Sequence, residues 1–105
     1  MMKQFEIYWV DLNPTKGSEI NKTRPAVIIS PDAMNKNLKT VLIAPVTSTV
    51  KNYPSRVATS FRGGSGQIVL DQIRAVDKTR LKGKIDAVDQ TTVLNIKAVL
   101  KTMFS

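Results

Sequence analysis

Short apolar runs alternate along the chain with polar breaks marked by proline or glycine. Phe5 to Leu12 alternates and is rich in aromatic and β-branched side chains, and Asn13-Pro14 closes it, which predicts a first strand. Ala26-Val27-Ile28-Ile29 lies between two prolines and predicts a buried strand over Pro25 to Ser30. A third strand follows over Thr40 to Val46. Arg56 to Ser60 and Gln67 to Leu70 are shorter candidates separated by the turn Arg62-Gly63-Gly64-Ser65-Gly66. Ile73 to Val76 continues the sheet after a bend, and Lys84 to Val88 adds an edge.

The period changes after Asp89, a good N-cap, where Val93, Ile96, Leu100 and Met103 recur at helical spacing. Val99 and Phe104 widen that stripe, so the helix is expected to lie on the sheet with Lys97 and Lys101 outward. Short strands, irregular loops and one late helix predict a mainly β fold with a C-terminal helix, arranged as a small, strongly bent β-barrel. Trp9, inside the first strand, is expected in the core, and Met34-Asn35 in a plain loop.

Composition narrows the class. The 105 residues, 42% of them hydrophobic and 23% charged, predict one globular domain spanning 1–105. There is no cysteine and no histidine. That excludes disulfides, thiolate or imidazole ligands and the two-histidine acid/base arrangement many ribonucleases use, so no metal or other cofactor is expected. Glu6 interrupts what would be a signal peptide's apolar run, and no apolar stretch is long enough to span a bilayer; a soluble, cytoplasmic protein without membrane contact is expected. The balance of 16 Lys and Arg against 8 Asp and Glu leaves a net charge of +8, which favours a polyanionic partner, nucleic acid first.

Two segments exceed what a hairpin or a core needs. One runs from Pro14 to Arg24, and the other, Thr47 to Arg56, carries Thr47, Ser48, Thr49, Lys51, Asn52, Tyr53 and Arg56. Hydroxyls, amides, an aromatic ring and cations suit a phosphate backbone and an unstacked base.

The run Tyr8-Trp9-Val10-Asp11-Leu12-Asn13-Pro14-Thr15-Lys16-Gly17-Ser18-Glu19, followed by Thr23-Arg24-Pro25-Ala26-Val27-Ile28-Ile29-Ser30-Pro31, resembles the N-terminal half of the MazF/PemK-type toxins of bacterial toxin–antitoxin systems. Pro45-Val46-Thr47-Ser48 and Val69-Leu70-Asp71-Gln72-Ile73-Arg74-Ala75-Val76-Asp77 extend the resemblance, which covers most of residues 7 to 77. It implies a CcdB/Kid-like barrel, related to SH3-like barrels, that forms a homodimer. It also implies metal-independent cleavage of single-stranded RNA, mRNA included, at short motifs, and a MazE-like antitoxin whose acidic tail covers the RNA groove. By position, Arg24 matches the family's catalytic arginine and Thr47 its catalytic threonine. Glu19 falls in the Gly-Ser-Glu loop, where some members use the acid. The chain departs from the Kid branch in having Val69 where that branch has a second arginine, two residues before Asp71. It also has Ser18 or Glu19 near a position where that branch has a histidine. Phe5 stands where a glycine usually precedes the first strand's acidic residue, a difference read as structural.

The implied reaction is attack of the ribose 2′-hydroxyl on the adjacent phosphorus, giving 2′,3′-cyclic phosphate and 5′-hydroxyl ends. It requires a base, an acid, and donors on the phosphorane oxygens. Arg24 supplies a fixed fork of donors for phosphate. A normal guanidinium does not deprotonate near neutrality, so Glu19 is the more economical base, with Arg24 as the alternative. Thr47 would donate to a non-bridging oxygen. Lys16, Lys22, Lys51 and Arg56 are expected to hold phosphates and Tyr53 to stack on a base, with Ser18, Asp71 and Gln72 as further groove residues. The competing reading, a CcdB-like gyrase poison without nuclease activity, is disfavoured because the chain ends Lys101-Thr102-Met103-Phe104-Ser105 and lacks the Trp-Gly-Ile ending of that type.

Overall fold

The structure is a computed structural model that describes residues 2–12 and 23–105. Along the chain the elements are β1 (Glu6–Asp11), β2 (Thr23–Ile28), α1 (Asp32–Asn37), β3 (Thr40–Thr47), β4 (Arg56–Phe61), β5 (Gly64–Val69), β6 (Arg74–Asp77), β7 (Leu81–Ala87) and α2 (Gln90–Met103). The strands form one sheet in the order β4-β5-β3-β2-β1-β7, with β6 also paired to β3. Every pairing is antiparallel, and the sheet curls into a half-barrel. The β4–β5 turn reaches back to β7, where the Arg62 N–H donates to Asp86 Oδ2 at 2.8 Å.

The central strands are apolar because both of their faces are covered. Val27, Ile29, Ala44 and Val46 join Ile7, Ile68 and Leu70 in a core under α2, which contributes Val93 and Ile96. The intervening residues Ala26, Ile28, Val41 and Ile43 join Val10 and Val76 in a second core on the other face. Asp89 caps α2, its carboxylate accepting the Thr92 N–H at 2.8 Å. Phe104, expected on the apolar stripe, lies just past the helix and is 77% exposed.

Two local expectations are corrected, and the reading of Phe5 as a structural difference gains a physical reason. The Met34-Asn35 segment is helical: α1 is too short to show a hydrophobic period and is secured by polar contacts. Buried Asn35 accepts from the Ser30 hydroxyl and donates to the Ser30 carbonyl at 2.9 Å. Ser30 Oγ in turn accepts the Leu42 N–H at 3.0 Å, and Lys78 Nζ donates to the Asn35 carbonyl. Gly64, Ser65 and Gly66, expected in a turn, are the first residues of β5. Phe5 has φ +69°, a left-handed conformation that favours glycine, which gives a physical reason for a glycine at this position in the family resembled. The strain is held by backbone bonds on both sides, Phe5 N–H to the Ile28 carbonyl at 2.7 Å and Val88 N–H to the Phe5 carbonyl at 2.9 Å.

Next to it, Glu6 is a buried carboxylate with a full set of partners. Lys84 Nζ lies 2.8 Å from Oε2, and Oε1 accepts the Lys3 N–H at 2.7 Å and the Tyr8 hydroxyl at 3.3 Å. Burial alone pushes this carboxyl up, but the hydrogen bonds from Lys84 and Lys3, with the Lys84 charge, outweigh it and hold Glu6 below its ordinary value. A carboxyl lowered on folding stabilises the native state above its unfolded pKa, and that stability is lost as the pH falls through the folded value. Glu6→Gln is therefore expected to melt below the parent at pH 7, with the gap in Tm narrowing as the pH falls from 5 to 3. Thermal unfolding followed by circular dichroism across that range checks this; a gap independent of pH would contradict it.

Candidate active site

The β2–β3 ladder pairs Ile28 with Ile43, Val27 with Ala44 and Ala26 with Pro45. Continued by two residues, that register sets Arg24 across from Thr47, and both line one open cleft of about 470 Å³. Pro25, the register partner of Trp9, has no N–H to give to the ladder. The rest of the wall comes from Trp9, Phe61, Ser48, Thr49 and the β4–β5 turn at 63–65.

Arg24 is exposed, and among the described residues its guanidinium has neither a hydrogen bond nor an ion pair. Its fork of donors is thus available to an oxyanion. Thr47, half-buried at the end of β3, accepts the Thr49 N–H on Oγ1 at 3.2 Å. With the oxygen occupied as acceptor, the hydroxyl proton remains for a second oxygen. A cation and a hydroxyl donor therefore share one concave surface, suited to opposite oxygens of a tetrahedral or pentacoordinate anion.

Thr47 is held by a close backbone approach. A Cβ on Gly66 would lie 2.4 Å from the Thr47 carbonyl oxygen and 3.1 Å from its carbonyl carbon. Glycine is needed here because two strands meet too closely for any side chain.

Of the other residues expected in the site, Lys51 and Tyr53 are exposed on the loop at 48–55. Arg56 closes that loop with its Nη1 bonded to the Thr49 carbonyl and to Gln67 Oε1, each at 3.1 Å. Asp71 and Gln72 sit on the 3₁₀ turn Leu70–Gln72, away from the lining of the cleft, and Asp71 accepts the Ser55 hydroxyl at 2.9 Å. Lys16, Ser18, Glu19 and Lys22 lie outside the described residues. No group of three or more metal-ligating side chains occurs among the described residues.

Trp9 corrects the sequence reading: it is 43% exposed and lines the cleft instead of the core. Trp9 keeps a regular pairing with β2, and together with its partner Pro25 it lines the cleft instead of joining the core under α2. The cross-strand partner Pro25, adjacent to Arg24, was the available signal.

These features define a small cationic β-protein with an open cleft that holds Arg24 and Thr47. The family of PemK-like, MazF-like toxins of type II toxin–antitoxin systems matches residues 3–104, and the chain belongs to it. The endoribonuclease MazF of Staphylococcus epidermidis is 32% identical over 106 residues, covering 95% of this chain and 88% of that protein. The endoribonuclease toxin MazF of Escherichia coli K12 is 38% identical over 71 residues, 68% of this chain and 64% of that protein. Among solved structures, a MazE–MazF complex from Deinococcus radiodurans superposes with a TM-score of 0.84 at 26% identity, covering 97% of this chain and 94% of that one.

Gly66→Ala is expected to force β5 from the end of β3 and to cost about 1–3 kcal/mol, the range for overpacking a filled site. Denaturant unfolding checks the cost, and amide NMR shifts at Thr47 and Ser48 check its location. Parent-like stability with unmoved shifts would contradict the close approach.

Proposed function

We propose that residues 1–105 act as one toxin domain that cuts single-stranded RNA, mRNA included, at selected sequences and so arrests translation and growth. The observation that carries this reading is the placement in one cleft of Arg24, which has no side-chain partner among the described residues, and the Thr47 hydroxyl. The names of the relatives support it, and the gyrase-poison alternative has no comparable support. A net charge of +8 supports binding to a polyanion.

In the proposed reaction the 2′-hydroxyl 5′ to the scissile bond gives its proton to the base and attacks the adjacent phosphorus, and the 5′-oxygen of the next nucleotide departs and takes up a proton from water. The products are a 2′,3′-cyclic phosphate and a 5′-hydroxyl. Arg24 neutralises charge on the phosphorane with two parallel donors, and Thr47 donates to a non-bridging oxygen. Glu19 is assigned as the base because a carboxylate can accept a proton whereas a guanidinium keeps its own. The scheme needs no metal or other cofactor. Lys16, Lys22 and Lys51 are assigned to phosphates, with Ser18, Asp71 and Gln72 as outlying groove residues. The exposed faces of Trp9 and Tyr53 suit stacking with bases.

The proposed assembly is a homodimer that shares the RNA groove, silenced by an acidic MazE-like antitoxin. The MazE–MazF complex among the structural matches supports such a partner. No described helix is long and apolar enough to cross a membrane, which is compatible with the proposed cytoplasmic site of action.

If Arg24 acts on the phosphorane, its loss should lower the rate more than the affinity. Arg24→Ala is expected to cut the single-turnover rate in EDTA by about 10²-fold or more, as removal of a transition-state donor does. Arg24→Lys should rescue little, because an ammonium lacks the fork. Thr47→Ala should cost less than Arg24→Ala. A folded Arg24→Ala variant that cuts RNA at the parent rate would place the chemistry elsewhere.

A further inference from the structure

The loop at 48–55 leaves β3 directly after Thr47 and would be free to fluctuate if its ends alone held it. It is instead tied at its middle to Gln67. Gln67 lies on β5 between two strands, with Thr47 and Ala58 as its register partners. Its side-chain amide pairs with the Lys51 backbone in both directions: Oε1 accepts the Lys51 N–H at 3.0 Å and Nε2 donates to the Lys51 carbonyl at 3.2 Å. The same Oε1 accepts Arg56 Nη1 at 3.1 Å, and that nitrogen also donates to the Thr49 carbonyl at 3.1 Å. The Arg56 guanidinium carbon lies 5.4 Å from the centre of the Tyr53 ring.

We infer that Gln67 and Arg56 are positioning residues that hold the loop in its RNA-binding shape and present the Tyr53 ring to a nucleotide neighbouring the one cut. This rests on the proposed RNA cleavage. Arg56 spends Nη1 and its cationic face within the protein, and its buried Nε has no hydrogen-bond partner. Its work is done through Tyr53 and the Thr49 carbonyl, not by direct contact with phosphate. Tyr53 is 53% exposed, so with one face turned to the guanidinium its ring still offers area to a base. Ordering the loop before RNA arrives removes an entropy cost from binding. Because Gln67 is also the register partner of Thr47, the aromatic platform is held at a fixed offset from the reacting phosphate.

The test is a kinetic double-mutant cycle with Gln67→Ala and Tyr53→Ala on an RNA that the parent cuts, with circular dichroism as the control for folding. Gln67→Ala is expected to raise KM about tenfold, the size of one lost base stack, while kcat stays within about twofold. In the Tyr53→Ala background it should add almost nothing, because the platform it serves is gone. Gln67→Glu, which keeps the acceptor for Lys51 N–H and Arg56 but loses the donor to the Lys51 carbonyl, should recover only part of the loss. If Gln67→Ala does not fold, Arg56→Met takes its place in the cycle with the same expected KM effect. An unchanged KM, or effects of Gln67→Ala and Tyr53→Ala that multiply independently, would overturn the inference and leave RNA cleavage standing. A parent protein that cuts no RNA would overturn the functional reading and this use of the loop with it.

Discussion

The architecture depends on β3, a strand paired along both edges and covered on both faces. One edge carries β2; the other carries β6 from Thr40 to Ile43 and then β5 at Val46 and Thr47. The change of partner falls around Pro45, which has no N–H to contribute to a ladder. The sheet curls there, and its two faces become the two separate cores to which alternate residues of β3 belong. A strand so enclosed is obliged to be apolar along its middle and carries hydroxyls only at its two ends, Thr40 and Thr47. Thr47 is the one that lines the cleft.

The site follows from how β2 and β3 end. Thr23 and Arg24 extend past the last β2–β3 pair into solvent while still paired with β1. Arg24 therefore has a rigid backbone and a guanidinium that meets no acidic partner among the described residues. Across the cleft, Gly66 allows β5 to approach closely enough to fix the Thr47 backbone. Preorganised donors of this kind need little rearrangement when charge develops on a phosphorane. Stability comes from elsewhere, from Glu6 with Lys84, from the Asn35–Ser30 network and from the apolar face of α2.

The strand pattern and the C-terminal helix were legible because burial imposes its period on the chain. The run at 26–29 reads as a buried strand without help, and Asp89 announces α2. Features set by tertiary contacts were hidden. Gly64, Ser65 and Gly66 resemble a turn until their pairing with β4 is known, and α1 has no hydrophobic period to display. Trp9 looked like core because it lies inside a strand; its place in the cleft wall beside Pro25 is set by the pairing of β1 with β2. Arg24 and Thr47 stood out through family resemblance; their opposition across a ladder is a three-dimensional fact. Gln67 was read only as part of a strand and Arg56 only as a phosphate contact, because an amide clamping a distant backbone has no signature in local sequence.

The central claim is that the protein supplies charge and donors while the RNA supplies its own nucleophile. It is tested most directly with an oligonucleotide cut at one site, compared with the same oligonucleotide carrying 2′-deoxyribose immediately 5′ to that site, with mass spectrometry of the fragments. The account predicts a 2′,3′-cyclic phosphate and a 5′-hydroxyl from the ribose substrate, and an intact deoxy substrate that still binds. Cleavage of the deoxy substrate, or 5′-phosphate and 3′-hydroxyl ends from the ribose one, would contradict it.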